Sequence, residues 1–451
     1  MLPYIDQYIE NVAADANVDV RVLRILLCFL LSYPFAAVLP QLPSDAKNLK
    51  CWYIIGVGFF FMCGIFSMYW GFFLLIVNAS WVYAVLSYRP ASKKIPWLII
   101  GALMGILLCV QVKKERDIDA GVPSEDYAGT LMMLVIKMSL MAWSIHDGTL
   151  PSEEVNSTFR KRALLKEMPP LLDYFAYVFF FPTLFTGPSF QYSVFRDYLS
   201  MATFKTEGYK IKPDLKYCLL TFLKAVVLMI INAIATARIK SLRFDGTSFH
   251  DGNSFLKYVM YYHISFWMTL SKYSTVWAFA EGACGLSGIG YNGRDENGKT
   301  RWDLMMNINP VTIKTSPNMK SLVNNWNIST EQWLKHCVFF RMVPPGKSPG
   351  VFGRFVTFAV SGLWHGTRPG YYATFFTVVL LLEVQAIFRT RVRPFFLTPD
   401  GGAPTRYKKY YDIFGWMCTM LAVEYLSIGF PLMKAGAVYE KWKGSYFYVH
   451  V

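Results

Sequence analysis

The chain has 451 residues, of which 54% are hydrophobic and 17% aromatic, with a mean hydropathy of +0.30. A soluble core of this length cannot bury so much apolar surface, so composition excludes an ordinary soluble globular protein and predicts an integral membrane protein. The net charge of +15 is scattered between apolar runs rather than gathered on one polar domain, which excludes a nucleic-acid-binding module.

The N-terminus carries Asp6, Glu10, Asp15 and Asp19, where a removable signal peptide would have a basic start and a small-residue cleavage site. Targeting is therefore expected from the first membrane span. About eleven apolar runs approach the roughly 20 residues that a bilayer-crossing helix requires. They lie near residues 22–40, 51–67, 69–87, 95–112, 128–146, 172–190, 216–238, 255–280, 350–365, 371–388 and 411–431. Lipid offers backbone groups no water, so such runs are predicted to be helical. Basic clusters at Arg160, Lys161, Arg162 and Lys166, at Arg389, Arg391 and Arg393, and at Arg406, Lys408 and Lys409 are expected on the cytosolic side. That face would also attract an anionic cytosolic substrate.

A charged side chain in an apolar run is costly and is expected to face the protein interior or a water-filled cavity. Lys137, His146, Asp147, Asp173, Lys224, His263, Lys272, Glu281, His365, Glu383 and Glu424 are in this position. On one continuous helix, His263, Trp267, Ser274 and Glu281 fall within about 40° of each other. Such a stripe is predicted to face inward, either as a helix-packing network or as the lining of a chamber. The eight cysteines show no metal-ligand spacing and read as small buried hydrophobes. No metal site is expected.

A polar interruption from about Gly288 to Pro349 separates the eighth and ninth runs. Its last part, NNWNISTEQWLKHCVFFRM, is predicted to be an interfacial or re-entrant helix. Ser329 or Thr330 could cap it, with Glu331 in the first turn and Trp333, Leu334, Cys337, Val338 and Phe340 on an apolar face. Earlier in the interruption, GRDENGKT matches the P-loop spacing from Gly293 to Thr300. It follows a membrane run rather than a buried strand, and Asp295 and Glu296 stand where phosphates would have to come, so nucleotide binding there is rejected. The Gly-x-Ser-x-Gly spacing occurs at GKSPG, residues 346–350, but it follows Pro344 and Pro345 rather than the strand a nucleophile elbow needs. A Cys-x-x-Cys pair, a His-Glu-x-x-His pair and a His followed five positions later by Asp are absent. Serine hydrolase, metalloenzyme and soluble-type glycerolipid acyltransferase chemistry lose support accordingly.

Asn327 in NNWNIST and His365 in LWHGTRPGYY, separated by 38 residues, remain. A lone His in a membrane helix is by itself more often a packing or proton-relay residue than a catalyst, and the ordered motifs around it shift the reading toward catalysis. HDG at 146–148, GPSFQY at 187–192, WAFAEGACGLSGIGYNG at 277–293, Trp302 with Asp303, WNISTEQWL at 326–334, VFFR ending at Arg341, and LWHGTRPGYY at 363–372 form one series. The series resembles the membrane-bound O-acyltransferase superfamily, in particular its lysophospholipid acyltransferase branch, over about residues 147–376. Sterol and diacylglycerol enzymes of the superfamily carry Phe-Tyr-x-Asp-Trp-Trp-Asn, where this chain has NNW before its Asn.

The resemblance implies an all-α polytopic membrane protein, one membrane-embedded domain over residues 1–451, with spanning and re-entrant helices around an internal reaction chamber. It implies acyl transfer from acyl-coenzyme A, a co-substrate rather than a cofactor, to the sn-2 hydroxyl of a lysophospholipid, with Asn327 and His365 as catalytic residues. An imidazole with an ordinary pKa of about 6.5 suits a general base that deprotonates the hydroxyl. Asn327 would either stabilise the thioester oxyanion or orient the hydroxyl. Trp326, Thr330, Trp333, Glu281, His263, Asn292, Trp364, Lys335 and Arg341 are the candidate substrate-contacting residues. Lys335, Arg341, Lys347 and Arg354 are candidates for the coenzyme phosphates, a role no better supported than interfacial snorkelling. The expected surroundings are membrane lipids of the endoplasmic reticulum, although the family's frequent C-terminal dilysine is absent from YFYVHV. Asn156 and Asn327 fit the N-glycosylation pattern, but both are expected on the cytosolic side and unmodified. A polytopic transporter or channel, and a superfamily member acting on a neutral lipid or a protein, are the competing readings.

Overall fold

A computed structural model of the protein describes residues 2–43, 45–88, 92–122, 126–155, 157–201, 212–241, 254–344, 347–398 and 402–451; Asn156 lies outside them. Among the described residues the architecture is all-α, and β pairing is limited to isolated bridges.

Among the described residues, eight helices are long and apolar enough to cross a membrane: Val20–Gln41, Lys47–Ile65, Tyr69–Tyr88, Lys94–Asp119, Ala128–Gly148, Leu215–Ile239, Pro369–Phe396 and Lys408–Leu432. Sequence predicted about eleven, and the other three runs depart for separate reasons. The run near 172–190 is a short helix, Leu171–Val178, followed by a 3-10 turn, Phe181–Thr183. Pro182, Gly187 and Pro188 stop it from continuing, because proline lacks the amide and clashes with the preceding turn. The run near 255–280 is a single helix of 33 residues, Phe255–Ser287, but its Tyr, Ser and Lys residues keep it below the hydropathy of a lipid-spanning segment. The run near 350–365 is a helix of only 16 residues, Gly350–His365, shorter than the hydrocarbon core.

The chain divides into two compact units, residues 1–224 with 276–306, and residues 225–275 with 307–451. At the centre of the first is the Ala128–Gly148 helix, 89% of whose apolar window is buried, packed against the Lys94–Asp119 and Tyr69–Tyr88 helices. It carries charges into this core, each with a partner. Lys137 is 1% exposed and donates to the carbonyls of Tyr177 at 2.9 Å and Val178 at 3.2 Å. Those carbonyls end the Leu171–Val178 helix and have no helical acceptor role left, so the ammonium caps a helix that proline broke. Asp147 takes a two-pronged contact from Arg160, Nη2 to Oδ1 at 2.7 Å and Nε to Oδ2 at 3.0 Å. Asp173 pairs with Lys47. Gly148, which completes the HDG motif, lies so close to the Leu165 carbonyl that a Cβ would overlap it.

The second unit is built around the Pro369–Ile387 helix, which packs against Gly350–His365, Met319–Asn325, Gly429–Leu432 and Ala435–Gly444. Its start is held where the backbones of Gly370 and Gly429 meet. There the Gly370 amide donates to Met433 O at 2.8 Å and the Thr374 hydroxyl to Leu426 O at 2.9 Å. Tyr258, Tyr262, Met319, Val378, Tyr425 and Trp442 are among the buried residues of its core.

Candidate active site

Asn309, Asn318 and Asn327 recur every nine residues, and each stands at the start of a short helix, Pro310–Lys314, Met319–Asn325 and Ile328–Trp333 respectively. The first two act as ordinary N-caps: Asn309 Oδ1 accepts from the Thr312 amide at 3.1 Å and Asn318 Oδ1 from the Ser321 amide at 2.9 Å. Asn327 does not. Its backbone is left-handed, φ 49° and ψ 57°, and its side chain makes no capping bond to its own helix. Asparagine enters this region more readily than most residues. Its carbonyl oxygen receives the amides of Thr330 and Glu331, each at 3.0 Å, while its side-chain Oδ1 accepts from Asn307 Nδ2 at 3.0 Å.

The helix therefore begins before Ser329 and Thr330, the caps predicted from sequence, because the left-handed turn at Asn327 starts it early. Its continuation is a π turn, Leu334–Val338, and a 3-10 turn, Phe339–Arg341. Trp333, Cys337 and Val338 of the predicted apolar face are buried, whereas Phe340 is 45% exposed. The π and 3-10 turns pack against the Gly350–His365 helix. Trp333 meets Trp364 with ring centroids 6.0 Å apart, joining the segment that follows Asn327 to the one that ends in His365.

His365 is the last residue of its helix because Gly366 takes φ 142° and ψ −171°, a conformation open in practice only to glycine. Pro369 then opens the next helix, where a missing amide costs nothing. The Tyr372 hydroxyl closes the turn by donating to Gly366 O at 3.0 Å. Four rings surround the imidazole at centroid distances of 4.7 Å for Trp364, 5.5 Å for Tyr371, 5.4 Å for Phe375 and 5.3 Å for Phe430. Two of these walls, Phe375 and Phe430, carry no side-chain polar atom. Gly366→Ala is expected to destabilise the protein by about 1–3 kcal/mol and to lower kcat by moving His365. Thermal unfolding in detergent and turnover of the folded fraction check this, and a variant with wild-type Tm would contradict the backbone account.

The other predicted contact residues are not all gathered here. Trp326 stacks against Phe266 with ring centroids 6.4 Å apart and meets Tyr273 edge-on at 5.7 Å. His263 Nδ1 meets Glu424 Oε1 at 2.7 Å, and Trp267 Nε1 donates to His263 Nε2 at 2.8 Å; Nε2 therefore accepts, and the Nδ1 N–H donates to the glutamate. His263 and Trp267 are exposed, while Ser274 and Glu281 are buried, so the predicted inward stripe holds only along the later half of its helix. The helix is long enough for one azimuth to pass between two environments. Glu281 belongs to the first unit and accepts from the Tyr217 hydroxyl. Asn292, in the same unit, donates to Asp303 Oδ1 at 2.8 Å. Of the candidate phosphate contacts, Arg354 is engaged with Glu383, Nη2 to Oε2 at 2.9 Å; Arg341 Nε donates to His336 O at 3.0 Å; Lys335 lies 3.8 Å from Glu331; Lys347 is exposed.

GRDENGKT forms a hairpin rather than a phosphate nest. The Asp295 carboxylate accepts from the amides of Asn297 and Lys299, both at 2.9 Å, and so occupies donors that a phosphate would need. Past the hairpin, burial pushes the Asp303 carboxyl up, but hydrogen bonds from Asn292 and Arg301 outweigh it and leave the group below its usual range. Its contribution to stability is thus present at neutral pH and is lost as pH falls through its folded value. Among the described residues no three His, Cys, Asp or Glu side chains converge as a metal site.

Residues 69–428 match the sequence profile of the membrane-bound O-acyltransferase family. The chain belongs to that family. The match extends beyond both ends of the 147–376 stretch and includes Asn327 and His365. This acyltransferase is 35% identical to a lysophospholipid acyltransferase of Schizosaccharomyces pombe, over 99% of this chain and 87% of that protein. It is 31% identical to a lysophospholipid acyltransferase of Saccharomyces cerevisiae, over 99% and 75%. Identity to the mouse membrane-bound glycerophospholipid O-acyltransferase 1 is 28%, over 77% and 71%. The acyltransferase is thus an all-α, multi-pass membrane enzyme, and the motif series that suggested the family lies within the matched residues. Sequence reading passed over Asn307, which holds Asn327, and Phe430, which walls His365. Neither has a local signal: one is an Asn in a loop, the other a Phe in a chain with 36 of them.

Proposed function

We propose that this acyltransferase moves a fatty acyl group from acyl-coenzyme A to the free sn-2 hydroxyl of a lysophospholipid, in the endoplasmic reticulum membrane. The observation that carries the reading is similarity along 99% of the chain to two yeast proteins named lysophospholipid acyltransferases. In the proposed step His365 takes the proton of the acceptor hydroxyl as its oxygen attacks the thioester carbonyl carbon. The amide of Asn327 assists at the polar oxygens of the reacting groups. As the tetrahedral intermediate collapses the carbon–sulfur bond breaks, the sulfur takes the proton from the imidazolium, and free coenzyme A leaves with the base restored. Both substrates meet in one site, so orientation replaces a covalent acyl-enzyme.

Two donors beside Asn327 support a polar ligand at this place. Thr330 Oγ1 and Trp333 Nε1 are buried and have no hydrogen-bond partner among the described residues, an arrangement that native structures avoid unless a ligand or water completes it. We assign them to the polar part of a bound substrate. Trp333→Phe, which removes the N–H and little else, is expected to raise KM about 2- to 10-fold, the worth of one net hydrogen bond, with no loss of thermal stability. Lys335, Arg341 and Lys347 are the candidates for the coenzyme phosphates; Arg354 is the weakest because Glu383 already holds it.

The test is purified enzyme with labelled acyl-coenzyme A and a panel of lysophospholipid head groups, a sterol, a diacylglycerol and a peptide. The expected product is a phospholipid whose label is released by phospholipase A2. Transfer to the sterol, diacylglycerol or peptide alone, or to nothing, would overturn the reading.

A further inference from the structure

We infer that Asn307 is a positioning residue that presets the side-chain amide of Asn327, leaving the N–H end of that amide for the substrate. The inference rests on the proposed role of Asn327 in acyl transfer.

Asn307 is 1% exposed, and three of its polar atoms are committed to the start of the Ile328–Trp333 helix. Its carbonyl accepts from the Ile328 amide at 2.9 Å. Its Oδ1 accepts from the Ser329 amide at 2.8 Å. Its Nδ2 donates to Asn327 Oδ1 at 3.0 Å. A bridge between Ile308 and Trp326 and the bond from the Asn309 amide to Asn325 O, 3.1 Å, hold the two strands of chain side by side.

The direction of this chain of bonds follows from its first member. A backbone amide can only donate, so the atom of Asn307 facing Ser329 must be oxygen. The other end of the Asn307 amide must then be nitrogen, and it can only donate. The atom of Asn327 that receives it must therefore be oxygen, which leaves Asn327 Nδ2 at the far end with its two protons. Asn309 and Asn318 show what an asparagine does here without such a partner: each turns its oxygen onto its own helix. Asn307 withholds Asn327 from that role. A neutral N–H donor fixed before the reaction can meet a developing oxyanion without reorganising, and the fixed left-handed backbone at Asn327 keeps its position as well as its polarity.

Asn307→Leu keeps the number and branching of the side-chain heavy atoms and has neither donor nor acceptor there. With an equimolar mixture of lysophospholipids and oleoyl-coenzyme A as probes, it is expected to lower kcat about 10- to 100-fold through lost orientation, with KM for either substrate changed less than about threefold. In an Asn327→Ala background the same substitution should change kcat by less than about twofold, because the two act through one group. Rates are taken per folded molecule after gel filtration in detergent. If the Leu variant does not fold, Asn307→Ala is held to the same criteria.

Wild-type kcat for Asn307→Leu, or a loss that persists in the Asn327→Ala background, overturns the inference while leaving the role of Asn327 standing. Failure of both variants to fold also overturns it, assigning Asn307 to the fold alone. Wild-type kcat for Asn327→Ala itself removes the proposed role of Asn327, and this inference with it.

Discussion

Replacing His365 by alanine lowers kcat by about 10³, within the 10² to 10⁴ that a positioned general base contributes, and leaves KM for both substrates nearly unchanged. The expectation follows from where the imidazole sits. Its walls are Trp364, Tyr371, Phe375 and Phe430, and none of these rings carries a base that could take over the proton. The rings can also stay in place when the imidazole goes, since Tyr372 anchors the turn through Gly366 and Gly370 anchors the next helix through Met433. Binding is therefore expected to survive while proton transfer fails. The measurement is steady-state turnover of purified wild type and variant, with coenzyme A binding followed separately. Turnover within a fewfold of wild type would assign His365 to packing and leave the proposed mechanism without a base.

The largest expected effect on stability is at Asp147. Its carboxylate is 2% exposed and its partner Arg160 16% exposed, so Asp147→Ala leaves a mostly buried guanidinium without its counter-charge. Breaking a buried pair from one side costs about 3–5 kcal/mol. Asp147 also ends the most deeply buried helix of its unit, where Gly148 leaves no room against Leu165. Local collapse is thus a poor remedy. Thermal unfolding in detergent reads the loss as a lowered Tm. Removing both charges with Asp147→Leu and Arg160→Met should recover most of it, because neither desolvation cost then remains. A Tm of Asp147→Ala close to wild type would show that water reaches Arg160 and that the pair is effectively at the surface.

Composition and hydropathy carried the fold class and eight of the eleven runs, since a lipid-facing segment needs nothing beyond length and apolarity. They failed where a second property decides. The run near 172–190 is apolar enough, but Pro182, Gly187 and Pro188 break it, and a broken helix survives only if something distant satisfies its freed carbonyls. That something is Lys137, about 40 residues earlier, which sequence marked as costly without revealing its partner. The inward stripe failed differently: a helix of 33 residues has one azimuth but more than one neighbourhood, so His263 is exposed and Glu281 buried. Asn327 and His365, the proposed catalytic pair, were singled out by an ordered motif series. The residues that hold them were not. Asn307 reaches Asn327 across 20 residues of chain and Phe430 reaches His365 across 65, and neither distance has a period that a sequence records.

Lys137 also bears on how the polypeptide is made. A lone ammonium at the middle of a nascent hydrophobic segment carries an insertion penalty of about 2.5–3.5 kcal/mol, and the carbonyls that relieve it, those of Tyr177 and Val178, are still enclosed by the ribosome when Ala128–Gly148 emerges from it. That segment therefore reaches the translocon as a poor stop in its own right and settles only once its downstream partner has arrived. A released chain that ends between Gly148 and Tyr177 should be incompletely integrated, whereas a chain long enough for Val178 to have left the ribosome should integrate to completion. The acyltransferase thus carries a requirement for delayed, paired insertion in one buried amine.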